Sequence, residues 1–401
     1  MLTLDTVYQA AYKLREVIRN TDVIKTHRMF GGEEVYLKTE NLQVTGSFKV
    51  RGAYYKMSKL TPEQKKAGVI ACSAGNHAQG VALAASRQGI DSVICIPEGA
   101  PLSKIEATRG YGANVVLVKG VYDDAYRKAL EIAEETGRTM IHPFNDEDVI
   151  AGQGTLGLEI LDQIPDVDIV IVPVGGGGLL SGVAFTIKSL RPEVKVYGVE
   201  AAGAASMLHS FTEGRIDSLP SVQTIADGIA VKCPGDITYQ YCLKYVDGIV
   251  TVTDDEVACA ILDLMERQKL VTEGAGAVAA AAVLSGKIDI HGKKTCCLLS
   301  GGNIDVTILS KVISRGLLRE GRSYDFTLML EDRPGQLREV ISIVSSKGAN
   351  ITGVIHDRGG SGTDLKICTL RISLETRDPE HVSEIRKAIV DAGYEIISEV
   401  H

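Results

Sequence analysis

The chain of 401 residues contains no tryptophan and only six phenylalanines, so its cores must be filled by Val, Ile, Leu and Ala. None of its eight cysteines stands at C-x-x-C spacing, which leaves no zinc ribbon and no dithiol redox motif and fits free thiols in a reducing cytoplasm. Cys296 and Cys297 lie in an apolar run and read as small buried residues. Lysine and arginine form no patch able to follow a phosphate backbone, and the net charge is −8, so nucleic acid is a poor candidate partner. No apolar run is long enough to span a bilayer. The first residues have no basic stretch leading into an apolar one, so no signal peptide and a cytoplasmic location are expected.

What is present is ordinary for a globular protein: 45% hydrophobic and 23% charged residues, in a chain long enough for two or three domains. Leu4, Val7, Ala11, Leu14 and Ile18 recur at helical spacing and predict an amphipathic helix over the first twenty residues. A short strand at 35–38 and a helix at 50–60 follow. From Val69 the pattern becomes strand, glycine-containing turn, helix. Strands are predicted at 69–72, 92–96, 115–118 and 140–142, with helices at 81–87, up to about Gly110, and at 123–135. A second series places a helix at 156–163, strands at 169–174, 194–199 and 295–299, and a helix at 179–190. Such alternation predicts βαβ units on parallel sheets.

The character changes near Arg315. Residues 315–322 read as a short polar linker. Beyond it come a strand from Tyr324, a helix carrying Leu337, Val340, Ile341 and Val344, strands at 350–356 and 365–374 joined through 358–362, a helix with Val382, Ile385 and Ile389, and a strand at 394–397. That order is βαββαβ, a split-βαβ module.

Four stretches carry chemistry. Lys49 lies between Gly46 and Gly52. A lysine whose surroundings keep its amine partly neutral can form an imine with an aldehyde cofactor, although this stretch alone also reads as a solvated helix start. Gly175, Gly176, Gly177 and Gly178 stand between a buried strand and a helix, where backbone N–H groups can surround an anion. Their spacing is neither that of a dinucleotide fold nor that of a P-loop. Ser73, Ala74, Gly75, Asn76 and His77 occupy a similar turn, able to hold a carboxylate or simply to cap a helix. Ser300 to Asn303 end a buried strand, which is where ligands bind in open α/β sheets.

Together these stretches resemble the fold-type II pyridoxal phosphate enzymes, in the branch of threonine dehydratases and serine racemases, over about residues 1–320. The resemblance implies an α/β fold with two doubly wound subdomains and pyridoxal 5'-phosphate between them, the smaller, about 50–143, inserted in the larger, and a catalytic part ending at 318. It implies that Lys49 bonds the cofactor, with Ser47 and Phe48 beside the ring. Gly175, Gly176, Gly177 and Gly178 with Leu179 would cradle the phosphate, and Asn76 would bond the ring hydroxyl. Ser73, Ala74, Gly75, Asn76 and His77 would grip the substrate carboxylate, and Ser300 would face the pyridine nitrogen. A neutral hydroxyl there makes a weaker electron sink than a carboxylate partner, which favours loss of a β-substituent.

Racemases of this type carry a second serine where this chain has Ala74, and an asparagine at the place of Phe144. Phe48, Lys49, Val50 and Arg51 also differ from the pattern of cysteine synthases. Thr26, His27 and Arg28 stand where the family has Thr-Pro-Leu. Glu200 and the Ala204 carbonyl match cation ligands of related racemases, but the third place is Ser206, so a monovalent cation is the expectation rather than a divalent one. Glu273 reads as a carboxylate near the cofactor ring.

Residues 324–401 resemble an ACT domain, an amino-acid-sensing module, after a linker at 319–323. Pro334, Gly335, Gln336 and Leu337 at a helix start, with Asn350 and Ile351 on the next strand, would form its effector site, the helix start facing that strand. The activity implied is dehydration and deamination of L-threonine to 2-oxobutanoate and ammonia, with L-serine slower, in a homodimer or homotetramer regulated by an amino acid. A serine racemase or serine dehydratase, and a catalytically inactive amino-acid sensor, are the alternatives.

Overall fold

The structure, a computed structural model, describes residues 1–358 and 366–400. The chain divides into two compact units, Met1–Ile308 and Leu309–His401.

The first unit holds two sheets. Strands β1 (Val23–Lys25), β2 (Val35–Lys38), β7 (Ile169–Pro173), β8 (Lys195–Ala201), β9 (Gly248–Val252) and β10 (Thr295–Leu298) form one, in the order β1-β2-β10-β7-β8-β9. Only β1 runs antiparallel to its neighbour. Every residue of β7 and β10 is buried, as befits strands covered by helices on both faces. Strands β3 (Val69–Cys72), β4 (Ser92–Pro97), β5 (Asn114–Val118) and β6 (Thr139–Met140) form a smaller parallel sheet in the order β5-β4-β3-β6. The turns after β3, β7 and β10 all leave the carboxyl ends of parallel strands, where an α/β sheet opens a crevice.

Three helices differ from the sequence-based expectation. The first spans only Leu4–Leu14. Beyond it the Gln43 side chain takes both backbone groups of Arg19, accepting from its N–H and donating to its carbonyl at 2.8 Å each, and so holds the segment out of a helix. The helix expected from Val81 begins at Asn76 (Asn76–Gln88), which puts Asn76 and His77 in its first turn. The helix expected at 156–163 is Glu147–Gln163, and its first half contains Gly152 and Gly154, residues that weaken any helical signal.

Those glycines have a packing reason. A Cβ on Gly152 would lie 2.6 Å from the Gly52 Cα and 2.7 Å from the Arg51 carbonyl oxygen. Helix Lys49–Ser58 therefore crosses Glu147–Gln163 backbone against backbone. Buried Arg51 binds the same crossing. It donates to both oxygens of Glu40 at 2.8 Å and to both of Glu159 at 2.6 and 3.0 Å, while Lys38 reaches Glu159 at 2.6 Å. Paired and fully hydrogen-bonded in this way, a buried guanidinium anchors the helix on which Lys49 sits.

In the second unit β11 (Ser323–Glu331), β12 (Asn350–Asp357), β13 (Ile367–Glu375) and β14 (Glu395–Val400) form an antiparallel sheet in the order β12-β13-β11-β14. Helices Gln336–Ser346 and Pro379–Asp391 complete βαββαβ, and their Val340, Val344, Ile385 and Ile389 pack on Phe326, Leu328, Leu370 and Ile372 of the strands. Residues 359–362 of the expected connection, and Leu365 of the expected strand, lie outside the described residues. The expected polar linker is corrected: residues 315–319 finish helix Val306–Arg319, in which Val312 and Gly316 are buried. Its charged residues hid an apolar face at Leu309, Val312, Ile313 and Leu317. Among the described residues no helix is long and apolar enough to cross a membrane.

Candidate active site

A cavity of about 910 Å³ lies where the turns after β3, β7 and β10 meet, and it is lined by residues of all four stretches singled out in the sequence. Lys49 is the first residue of its helix, and two contacts fix it beside β10: Phe48 N–H donates to the Ser300 carbonyl at 3.2 Å, and Ser47 pairs with Gly301. The half-buried Lys49 amine donates to the Pro143 carbonyl at 3.0 Å and lies 5.3 Å from the Phe48 ring centroid. Loss of solvent lowers it to about 8, against the opposing pull of the Glu273 carboxylate.

Gly177, at φ 92, caps helix Gly178–Leu190. The loop has no room for side chains: a Cβ on Gly175 would lie 2.9 Å from the Ile229 Cα, and one on Gly178 would lie 2.8 Å from the Phe144 Cβ. Thr238 Oγ1 donates to the Gly176 carbonyl at 2.6 Å, which satisfies that oxygen. The loop is thus a cradle of N–H groups at a helix N-terminus, where an anion is stabilised. Leu179 borders it.

Opposite, Ser73 Oγ accepts from Gly75 N–H at 3.1 Å, which shapes the entry to helix Asn76–Gln88. Its first N–H groups make a second anion-binding end. Asn76 donates to Glu273 Oε1 at 2.5 Å and accepts from Asn303 Nδ2 at 2.8 Å. Burial and then Lys49 push His77 down to about 3, and the same causes hold His142 at about 4, so both imidazoles are neutral at pH 7. His77 Nε2 lies 2.8 Å from the Ile141 carbonyl, and His142 Nδ1 accepts from the N–H groups of Phe144 and Asn145. Burial and Asp227 raise Glu273 to about 7. Ser300 Oγ donates to the Ala275 carbonyl at 3.2 Å. Of the residues expected from the resemblance to meet cofactor or substrate, all but Ser47 line this cavity; Ser47 is fully buried in its pairing with Gly301.

Other residues of the cavity were not singled out as site residues. Lys104 and Asp227 pair at 2.5 Å, and both line the cavity. Asp227 and Gly228 belong to an irregular stretch with no periodicity, so nothing in the sequence marks them. Asn303, which does not line the cavity, was visible as the end of a motif, but its bonds to Asn76 and to the Thr45 carbonyl were not.

Glu200 does not line this cavity. Its two carboxylate oxygens accept from the N–H groups of Met207 and Leu208 at 2.8 and 2.9 Å, at the start of helix Ser206–Glu213, and burial raises it to about 7. Ala204 ends the 3₁₀ turn just before that helix. Among the described residues no group of three or more His, Cys, Asp or Glu side chains is placed to hold a metal ion.

The expected effector site is not one place within a chain. Gly335, at φ 99, caps helix Gln336–Ser346 just beyond the end of β11. Asn350 opens β12 opposite Glu375, which pairs with Ser323 at the start of β11. The length of β11, roughly 26 Å at 3.3 Å per residue, thus separates the two halves, because the helix after a strand carries the chain back along it. The expectation that the helix start faces Asn350 is corrected accordingly. Asn350 Nδ2 donates to Glu375 at 2.8 Å, Gln336 accepts from Arg333 at 3.0 Å, and Leu337 and Ile351 pack on the module's core. Pro334 belongs to the turn before Gly335.

An amine lowered to about 8, on a cavity that two helix N-termini border, defines an enzyme suited to an anionic aldehyde cofactor and an anionic substrate. The chain belongs to the family of pyridoxal-phosphate dependent enzymes, which matches residues 14–301. It is 49% identical over 398 residues to an L-threonine ammonia-lyase of Thermotoga maritima, covering 99% of both chains. Its fold is similar to that of a maize serine racemase, with a TM-score of 0.74 and 34% identity over 79% of this chain and 98% of the other. It is likewise similar to a threonine deaminase of Solanum lycopersicum, with a TM-score of 0.73 and 40% identity over 78% and 94%.

Proposed function

We propose that this enzyme dehydrates and deaminates L-threonine to 2-oxobutanoate and ammonia, and L-serine more slowly to pyruvate. The observation that carries the reading is the Lys49 amine, lowered to about 8, on a cavity that the glycine cradle and the Asn76 turn both border. The residues fit pyridoxal phosphate: a glycine-lined helix N-terminus for a phosphate and an amine lowered to about 8 for an aldehyde. When bound, that group supplies an aldehyde carbon and an electron sink that makes a Cα proton removable. Gly175 to Gly178 and Leu179 would hold its phosphate, with Phe48, Asn76 and Ser300 as its further partners on the same cavity. Ser73 to His77 would hold the substrate carboxylate by N–H groups, on the same cavity as the Lys49 amine. Lys49, once free, takes that proton as general base. The two cavity histidines, lowered to about 3 and about 4, are far weaker bases than the Lys49 amine at about 8, which favours Lys49 as the base.

A serine-racemising reading draws on the maize neighbour. Ala74 opposes it, since a hydroxyl-free side chain stands where racemases place their second acid/base. At the second unit we read an ACT module whose effector, an isoleucine- or valine-like amino acid, acts on catalysis in a homo-oligomer. Identifying the products formed from threonine and serine in parallel, with Lys49→Ala as control, tests the central reading. The expected result is 2-oxobutanoate from threonine and none from the variant. No 2-oxobutanoate from the cofactor-loaded wild type would overturn it.

A further inference from the structure

Glu273 occupies the N-cap position of helix Gly274–Leu284, where a carboxylate ordinarily bonds the N–H groups of its own helix. Here it makes no such bond and turns instead to Asn76, accepting from Nδ2 at 2.5 Å. On the other side of Asn76, Asn303 Nδ2 donates both to Asn76 Oδ1 and to the Thr45 backbone carbonyl, each at 2.8 Å. A backbone carbonyl can only accept, so the end of Asn303 that meets it must be the nitrogen. That choice propagates: the same nitrogen faces Asn76, fixes the Asn76 oxygen on that side, and leaves the Asn76 nitrogen toward Glu273. One Asn76 hydrogen is spent on Glu273 and one remains.

The glycines around these side chains give them their room. Side chains at Gly46 and Gly301 would collide with Asn303 and with Glu273, and a Cβ on Gly228 would lie 3.5 Å from Glu273 Oε1. The charged groups facing Glu273 are Lys49, Lys104 and Asp227, each from a different segment.

We propose that Glu273 and Asn303 are positioning residues that lock the Asn76 carboxamide so that its remaining N–H meets the phenolic oxygen of pyridoxal phosphate. This rests on the pyridoxal phosphate reading of the cavity. A hydrogen bond to that oxygen changes the electron density of the conjugated system joined to Lys49, so it governs both cofactor affinity and the visible absorption band.

The test titrates full-length apoprotein with pyridoxal phosphate, following the visible band at a pH above the Lys49 midpoint. Glu273→Gln, Glu273→Ala, Asn303→Ala and Asn303→Asp are compared with the wild type. Losing the orientation should raise the cofactor Kd by about tenfold in Glu273→Ala and Asn303→Ala and shift the band. Asn303→Asp, which cannot donate to Thr45 or Asn76, should do at least as much. Glu273→Gln keeps an acceptor oxygen and should stay within about threefold of the wild type. Thermal unfolding of each apoprotein separates these effects from loss of fold, and if Glu273→Ala fails to fold, the contrast of Glu273→Gln with Asn303→Asp decides. Unchanged Kd and band in the Asn303 variants would overturn the proposal, as would a Glu273→Gln that fails as badly as Glu273→Ala. A wild-type chain that takes up no cofactor would instead overturn the reading of the cavity, and that appears before any substitution is made.

Discussion

At the scale of single residues the Lys49 nitrogen is the point on which the chemistry turns. A free lysine is protonated until about pH 10.4, and an ammonium cannot attack an aldehyde. Enclosure in the cavity lowers Lys49 to about 8, so the reactive neutral form accumulates above that value rather than two units higher. The rate at which apoprotein takes up the aldehyde cofactor should climb through a midpoint near 8, measured by stopped-flow absorbance over a pH series. A midpoint near 10 would show that the amine is not desolvated. Ala74 makes a second expectation. With no hydroxyl at this place, serine incubations should yield negligible D-serine, and Ala74→Ser should gain a small racemase activity, both read by chiral chromatography. Substantial D-serine from the wild type would mean that another group returns the proton.

At the scale of elements, the lysine helix is held by what its neighbours lack. Gly52 and Gly152 let two backbones touch, and Gly182 and Gly154 do the same where Glu147–Gln163 meets Gly178–Leu190. One helix therefore carries on its two faces the contacts that place Lys49 and the glycine cradle. Gly152→Ala should push the lysine helix away, destabilising the fold by about 1–3 kcal/mol and weakening cofactor binding together. Thermal unfolding and a cofactor titration on the same preparation check this. A variant with the wild-type melting temperature and wild-type affinity would show that the crossing has slack. Arg51, two residues along the same helix, adds a polar lock to the steric one.

At the scale of the whole molecule, the question is what the second unit does to the first. Helix start Gly335 and strand start Asn350 lie at opposite ends of one sheet, so residues of both kinds can share an effector only across two copies of the module. An effector must also bind two states of the assembly unequally if it is to change catalysis. The coupling expected of such a device is about 1–3 kcal/mol, a shift of roughly five- to a hundredfold in threonine affinity. Isothermal calorimetry of the full chain with each amino acid, alongside threonine saturation curves, should show isoleucine or valine binding and moving the curve. The response should fade on dilution to monomer, followed by light scattering. If no amino acid binds, the module serves packing alone.

Much of this protein could be read from local pattern. Lys49, Gly175 to Gly178, Ser73 to His77 and Ser300 were marked because each is a short run of unusual residues at a strand-to-helix turn, and backbone preference is a local property. The βαββαβ order of residues 323–400 was legible for the same reason. Periodicity failed where a distant partner overrode it. The first half of Glu147–Gln163 carries glycines for the sake of helices at 49–58 and 178–190, and Arg19 leaves its helix because Gln43 bonds its backbone. The partners of Asn76 lie 197 and 227 residues away along the chain, so no window of sequence could pair them. Residue types at the turns follow from the sequence. Which hydrogen faces the cavity, what value the Lys49 amine takes, and whether two halves of an effector site meet are set by nonlocal packing and burial, which exist only once the chain has folded.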